Sequence, residues 1–233
     1  MGQFSLPEPG TVQAYNLQVV YESSLVLGLF VMLVVGYFLL MIMFNKGTCT
    51  KYLEQPYLEV FWSLASFFLL VMMCSVSVYV LYVNDETYTE PYLDVCVVGH
   101  QWYWTYQIGL GEEADVLRWD SRLIPRSKDS SIDFLDLITV DHPLMIPVGV
   151  LVRVLVTSAD VIHSWGANGL GVKLDAVPGR LNRGLLEVKA PGIYWGMCAE
   201  FCGQMHSMMP TVVEAVPEET FSDWKSHVES SML

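Results

Sequence analysis

The sequence predicts a two-helix transmembrane hairpin followed by an all-β sandwich or barrel, and three observations carry that expectation. Two long apolar runs, Ser23 to Phe44 and Val60 to Val83, contain no Asp, Glu, Lys or Arg. After them come short segments rich in Val, Leu, Tyr and Trp, bounded by Gly, Pro or Asp, which is the pattern of short strands joined by turns. No long helix-period segment interrupts those strands, so sheets pack on sheets rather than on crossover helices.

Each run is long enough to cross a bilayer, because a rise of about 1.5 Å per residue covers a hydrocarbon core of about 30 Å in roughly 20 residues. Buried core helices are the competing account, and two uninterrupted runs of 22 and 24 residues argue against it. A cleaved signal peptide does not fit either. The first run follows 22 residues without Lys or Arg and is too long for a signal core. The expected organisation is an outer segment over residues 1–22, a hairpin over 23–83 with spans at 23–44 and 60–83, and an outer domain over 84–233. Lys46 and Lys51, in the loop between the runs, are the first basic residues and none follows before Arg118, so that loop faces the inner side and both termini face the outer.

The outer domain begins with LDVCVVG and HQWYWTYQI, continues through VLVRVLVTS, GLLEVKA and GIYWGMC, and closes its strands with PTVVEAV. Val152, Val154 and Val156 alternate around Arg153 as a half-buried strand requires. The stretch PEETFSDWKSHVESSML predicts a terminal amphipathic helix with Phe221, Trp224 and Val228 on one face. This domain holds 21 Asp and Glu against 10 Lys and Arg, a net charge of −11 within −13 for the whole chain. Such an acidic surface excludes nucleic acid and suits a basic partner, although ordinary solvation accounts for acids equally well.

Cysteine is sparse and odd in number: Cys49, Cys74, Cys96, Cys198 and Cys202. With Cys74 inside a span, these do not form a disulfide framework. The last two open the run CAEFCGQMHSMM, which packs two thiols, the imidazole of His206 and several thioethers, Met209 among them, into twelve residues. Zinc more often takes paired Cys-x-x-Cys motifs and does not call for a thioether, whereas thiolate, imidazole and Met together favour copper. His163, in ADVIHSWGANGLG just past the strand VLVRVLVTS, is placed to converge on that loop from another strand. Two thiolates can bridge two metal ions, so a dinuclear copper electron-transfer site follows; nothing here pairs a nucleophile with a base.

GHQWYW (Gly99 to Trp104), VTSADVIHSW (Val156 to Trp165), LDAVPGRLN (Leu174 to Asn182) and CAEFCGQMHSMMP (Cys198 to Pro210), after a charge-free hairpin, resemble the subunit II family of haem-copper cytochrome c oxidases over nearly the whole chain. The resemblance implies a cupredoxin barrel holding the dinuclear copper A centre, which takes electrons from cytochrome c and passes them to a haem in subunit I. It implies Cys198 and Cys202 as bridging thiolates, His163 and His206 as imidazole ligands, Met209 as one axial ligand and the backbone carbonyl of Glu200 as the other. The Glu200 side chain would help hold a magnesium ion shared with subunit I, where an oxygen ligand suits a hard cation. Trp102 matches the residue through which electrons arrive, although aromatics in a strand are also ordinary packing. Asp120, Asp141, Asp160 and Asp175 match positions on or near the docking face for cytochrome c. Glu59 matches a carboxylate at the inner mouth of a proton channel in subunit I, a place the helix dipole would also favour for an acid.

Departures from the family pattern fall at Gly166-Ala167-Asn168-Gly169 and at IGLGEEADVLRW, leaving the copper ligands untouched but raising Glu112, Glu113 and Asp115 as alternative docking acids. Two related readings give way. A quinol-oxidase subunit of structural role would lack these ligands, and a membrane-anchored copper-delivery protein would use fewer, exchangeable ones. The mitochondrial inner membrane, with the copper domain in the intermembrane space, is the expected setting, and a bacterial plasma membrane the alternative.

Overall fold

The computed structural model describes residues 8–45, 47, 54–85, 90–109, 116–124 and 137–232. Lys46, Cys49 and Lys51 of the inter-helix loop and the acids Glu112, Glu113 and Asp115 lie outside the described residues. The chain forms two compact units, one over Asn16–Glu86 and one combining the segment up to Tyr15 with everything from Thr87 on.

The first unit is helical. Helix α1 (Val12–Phe44) and helix α2 (Pro56–Asp85) each contain a stretch long and apolar enough to cross a membrane. Large apolar side chains such as Leu29, Phe30, Ile42 and Phe61 stand exposed along them, which is stable only where the surrounding solvent is itself apolar. Four serine hydroxyls within the helices are satisfied internally: Ser23 and Ser24 donate to the carbonyls of Val19 and Val20 at 2.7 and 2.8 Å, and Ser75 and Ser77 to those of Val71 and Met73 at 2.7 and 3.0 Å. Both helices extend beyond the charge-free runs. Pro56 opens α2, where its missing N–H costs nothing, and Glu59 stands in the first turn with its N–H bonded to the Gln55 carbonyl at 3.0 Å.

The second unit is a β-sandwich. A five-stranded sheet runs in the order β3 (Val116–Ser121), β2 (Tyr103–Gly109), β1 (Leu93–His100), β5 (Leu151–Ser158), β8 (Asn182–Glu187). Facing it are a three-stranded sheet, β4 (Leu144–Pro147), β10 (Pro210–Val216), β9 (Gly192–Met197), and the pair β6 (His163–Ala167) and β7 (Val172–Ala176). The parallel pairing of β1 with β5 sets Val95 beside Val154 and Val97 beside Val156. All four are buried, each contributing about 1.5–3 kcal/mol of transfer free energy. Val152 is buried with them while Arg153 turns outward, opposite Asp94, and donates two hydrogen bonds to its carboxylate at 2.7 and 2.6 Å. Helix α3 (Glu218–Met232) closes one side with Phe221 buried and the Trp224 ring edge-on to Trp119 at 5.8 Å.

Thr11 caps α1 by accepting the Ala14 N–H at 3.0 Å, and its own hydroxyl donates to the Leu170 carbonyl at 2.8 Å. Gly10 adds backbone bonds to Gly169 and Lys189, so this short N-terminal segment is built into the sandwich.

Two local expectations change. HQWYWTYQI is not one strand: His100 ends β1, Gln101 and Trp102 form the turn, and Tyr103 starts β2, with His100 and Tyr103 as the closing pair of a hairpin. The stretch holding His163, absent from the expected strands, forms β6, whose five residues are all buried. Covered on both faces, β6 shows no alternation, and for that reason its pattern did not announce a strand.

Candidate metal centre

The run from Cys198 to Met209 is the connection between β9 and β10, and its ends are pinned. Met197 and Pro210 are paired across the hairpin, and the Cys198 N–H donates to the Met209 carbonyl at 3.2 Å. This holds Cys198 and Met209 together at the neck while Cys202 and His206 fold back over them. A short 3₁₀ turn, His206–Met208, and a bond from the His206 N–H to the Gly203 carbonyl at 3.2 Å make that return. Gly203 sits at φ +122°, a conformation that residues with a side chain rarely adopt.

Five soft donors converge. The Cys198 and Cys202 sulfurs lie 3.9 Å apart, too far for a disulfide, and both thiols are free. Two sulfurs each about 2.3 Å from one metal with an open bond angle would be separated by roughly this distance. His163 Nδ1 stands 3.8 Å from Cys198 Sγ, His206 Nδ1 3.4 Å from Cys202 Sγ, and Met209 Sδ 3.6 Å from Cys202 Sγ. The Glu200 carbonyl oxygen is 3.4 Å from Cys198 Sγ, while its side chain is on the exposed surface. His163, Cys198 and Cys202 alone form a buried group whose donor atoms all lie within 4.8 Å of one another. The donor set therefore fits a thiophilic metal such as copper and offers a hard cation little, apart from the outward Glu200 carboxylate.

The sequence folds this way because neighbouring strands make room. A Cβ on Gly99 would fall 2.9 Å from His163 Cδ2, so only glycine in β1 lets the imidazole enter the sandwich. The ring is fully buried, edge-on to Trp104 at 5.9 Å. His163 Nε2 donates to Asp160 Oδ1 at 2.8 Å, which leaves Nδ1 as the lone-pair nitrogen facing the thiols.

Electrostatics divides the two thiols. Burial pushes the Cys198 thiol up, but the His163 imidazole and the backbone N–H groups of Ser164 and Glu200 outweigh it and bring its pKa down. Burial pushes Cys202 up, and the neighbouring Cys198 charge pushes it further. These opposite shifts favour ionisation of Cys198 ahead of Cys202, and a bound cation would favour the thiolate form of both. Burial opposes the charged form of His163, yet Cys198 and Asp160 raise its pKa; Asp160 is held low by that imidazole and by the N–H groups of Val161 and Gln101 despite its own partial burial.

The other expected residues are distributed around this centre. Trp102 lies at the β1–β2 turn, part-buried against the core, and a Cβ on Gly203 would come 3.2 Å from its ring. Its buried indole nitrogen has no hydrogen-bond partner among the described residues. Asp120 accepts from Thr105 Oγ1 at 2.7 Å and from Arg122 Nη2 at 2.8 Å, and Asp141 accepts the Arg122 and His142 N–H groups at 2.7 and 2.8 Å. Arg122 thus draws Asp120 and Asp141 together. Asp175 accepts from the buried Ser164 hydroxyl at 2.9 Å. Asp160, although exposed, holds the imidazole through Oδ1, and its second oxygen accepts the Gln101 N–H at 2.7 Å. Glu59 belongs to the helical unit, in the first turn of α2. Sequence reasoning missed Asp160 as the orienting carboxylate, and with it Ser164, Gln101 and Gly99; the Asp-x-x-His spacing was the one available signal.

The family described as cytochrome C oxidase subunit II, periplasmic domain, matches residues 93–216. Cytochrome c oxidase subunit 2 of Myxine glutinosa is 34% identical over 223 residues, covering 95% of each chain, and that of Drosophila yakuba is 36% identical over 206 residues, covering 88% of each. Among solved structures, the periplasmic domain of subunit II of cytochrome oxidase (CoxB) of Bradyrhizobium japonicum is similar at 31% identity and a TM-score of 0.54, covering 63% of this chain and all of that one. A helical pair, a cupredoxin-like sandwich, a buried His-Cys-Cys-Met cluster and these likenesses lead to one conclusion: the chain belongs to the cytochrome c oxidase subunit II family.

Proposed function

We propose that this chain is the electron-accepting subunit of a cytochrome c oxidase: it holds a dinuclear copper A centre, receives electrons from cytochrome c and passes them to haem in subunit I. The observation that carries this reading is the pair of free sulfurs, 3.9 Å apart and flanked by His163, His206 and Met209. When bound, copper supplies a one-electron couple shared between two ions. The chain's own residues do the rest. Cys198 and Cys202 would hold the copper through their thiolates, His163 and His206 through their imidazoles, and Met209 and the Glu200 carbonyl would complete the donor set. The hydrophobic surroundings of Trp104, Trp165 and Met209 keep water away, so little has to reorganise when the charge changes.

Trp102 is the route by which the electron arrives, since its part-buried ring lies against Gly203 of the ligand loop. The surrounding acids, Asp120, Asp141 and Asp175, steer a basic cytochrome to that edge, and Asp160 contributes mainly through His163. The exposed Glu200 carboxylate holds magnesium together with subunit I, and Glu59 stands at the mouth of a proton channel in that subunit. The chain is divided as an outer segment over residues 1–22, a hairpin over 23–83 and a copper domain over 84–233, and its setting is the mitochondrial inner membrane.

Metal analysis and electron paramagnetic resonance of the purified complex test this. Two coppers per chain sharing one unpaired electron are expected; a single copper, or zinc, would remove the reading.

A further inference from the structure

One residue bonds to both segments that carry the metal ligands. The Gln101 N–H donates to Asp160 Oδ2 at 2.7 Å, and Asp160 in turn holds the His163 imidazole at 2.8 Å. The Gln101 side-chain amide reaches the other way and donates from Nε2 to the Cys202 carbonyl at 2.8 Å. That carbonyl belongs to the peptide linking Cys202 to Gly203, whose positive φ lets the chain turn beneath the Trp102 ring. A Cβ at Gly203 would meet Gln101 Nε2 at 3.1 Å and the Trp102 indole at 3.2 and 3.4 Å, so the three residues are packed without slack.

The Cys202 carbonyl therefore has its direction fixed by a side chain from outside the ligand loop. Rotating this peptide would swing Cys202 Sγ away from His206 and Met209 and part Gly203 from Trp102. We infer that Gln101 is a positioning residue for the metal centre: its amide locks the Cys202–Gly203 turn, holding Cys202 in ligand geometry and keeping the loop against Trp102. The inference rests on the copper reading of the site given above. It makes the β1–β2 turn a clamp, with its backbone on the His163 side and its side chain on the Cys202 side.

The test replaces the amide while keeping its length. In the assembled oxidase, Gln101→Met should load both coppers but release them to an excess of a copper chelator roughly threefold to tenfold faster than the parent, the size of one lost neutral hydrogen bond. Reduction of the copper by cytochrome c should slow by a similar factor, while reduction by a small outer-sphere reductant stays at the parental rate, because that route does not use the Trp102 contact. Gln101→Lys, which restores a donor, should recover the slow release. Parental release rates in Gln101→Met would overturn the inference while leaving the electron-transfer reading intact. Failure of both variants to assemble would overturn it too, since a positioning role leaves the fold standing. A parent complex without the shared-electron spectrum would overturn the electron-transfer reading, and this inference with it.

Discussion

His163 and His206 bring the same imidazole to the same pair of sulfurs from opposite surroundings. His163 opens a strand, is completely buried, donates to a carboxylate and packs against Trp104 across a space that Gly99 leaves free. His206 rides on a short 3₁₀ turn, is only part-buried, and meets Phe201, a ring that is itself 77% exposed. One side of the centre is thus built by strands of the sandwich. The other side is a loop held at its neck, with Phe201 at its surface. The difference shows how one site joins rigidity to access: strands fix His163, and a loop brings His206 near the surface.

The strongest test of that contrast removes the loop-side sulfur of the pair. Cys202→Ser should abolish the dinuclear centre and leave at most one copper, held from the His163–Cys198 side; metal analysis with resonance spectroscopy checks it. Two coppers in the variant would mean that the loop thiolate is not a bridge.

Next in size is Trp102→Gln, which should leave the copper spectrum intact and slow electron arrival from cytochrome c by orders of magnitude in stopped-flow reduction. Were the ring only packing, its loss would instead cost roughly 3–5 kcal/mol of stability, seen as poor assembly or missing copper. Normal reduction with full copper takes Trp102 off the path.

Asp160→Asn and Phe201→Ala compare the two sides directly. Loss of the carboxylate that orients His163 should weaken copper affinity about 10–100-fold, measured by competition with a chelator. Phe201→Ala on the loop side should change affinity much less. Equal effects would erase the distinction between the strand side and the loop side.

Met209→Leu should retain both coppers and raise the reduction potential, because an axial thioether tunes such a site more than it holds it. Loss of copper in this variant would instead give Met209 a holding role at the neck.

The smallest effect belongs to the surface acids. Neutralising Asp120, Asp141 and Asp175 together should flatten the decline of cytochrome c association with rising salt, a decline expected because the screening length falls from about 10 Å at 0.1 M to about 3 Å at 1 M. The change should be modest, since Arg122 already offsets Asp120 at 2.8 Å. Parental salt sensitivity in the triple variant would move the docking face elsewhere.

Much of this molecule was legible along the chain, and for a physical reason. The spans declare themselves because a bilayer demands an unbroken apolar length, and Val152, Val154 and Val156 because a half-buried strand alternates. The donor types of CAEFCGQMHSMMP are chemistry that no fold can alter, so a copper loop follows from the residues alone. Tertiary structure alone decided what lies between distant residues. His163 reaches Cys198 from 35 positions away, Gln101 reaches Cys202 from 101, and neither approach leaves a periodic trace. Asp160 reads as a surface acid in sequence and proves to be the partner of a buried imidazole. Trp102 sits in a turn because His100 and Tyr103 pair across the hairpin, and β6 lost its alternation because both its faces are covered. The ligands follow from residue chemistry; their orientation follows from which strands lie side by side.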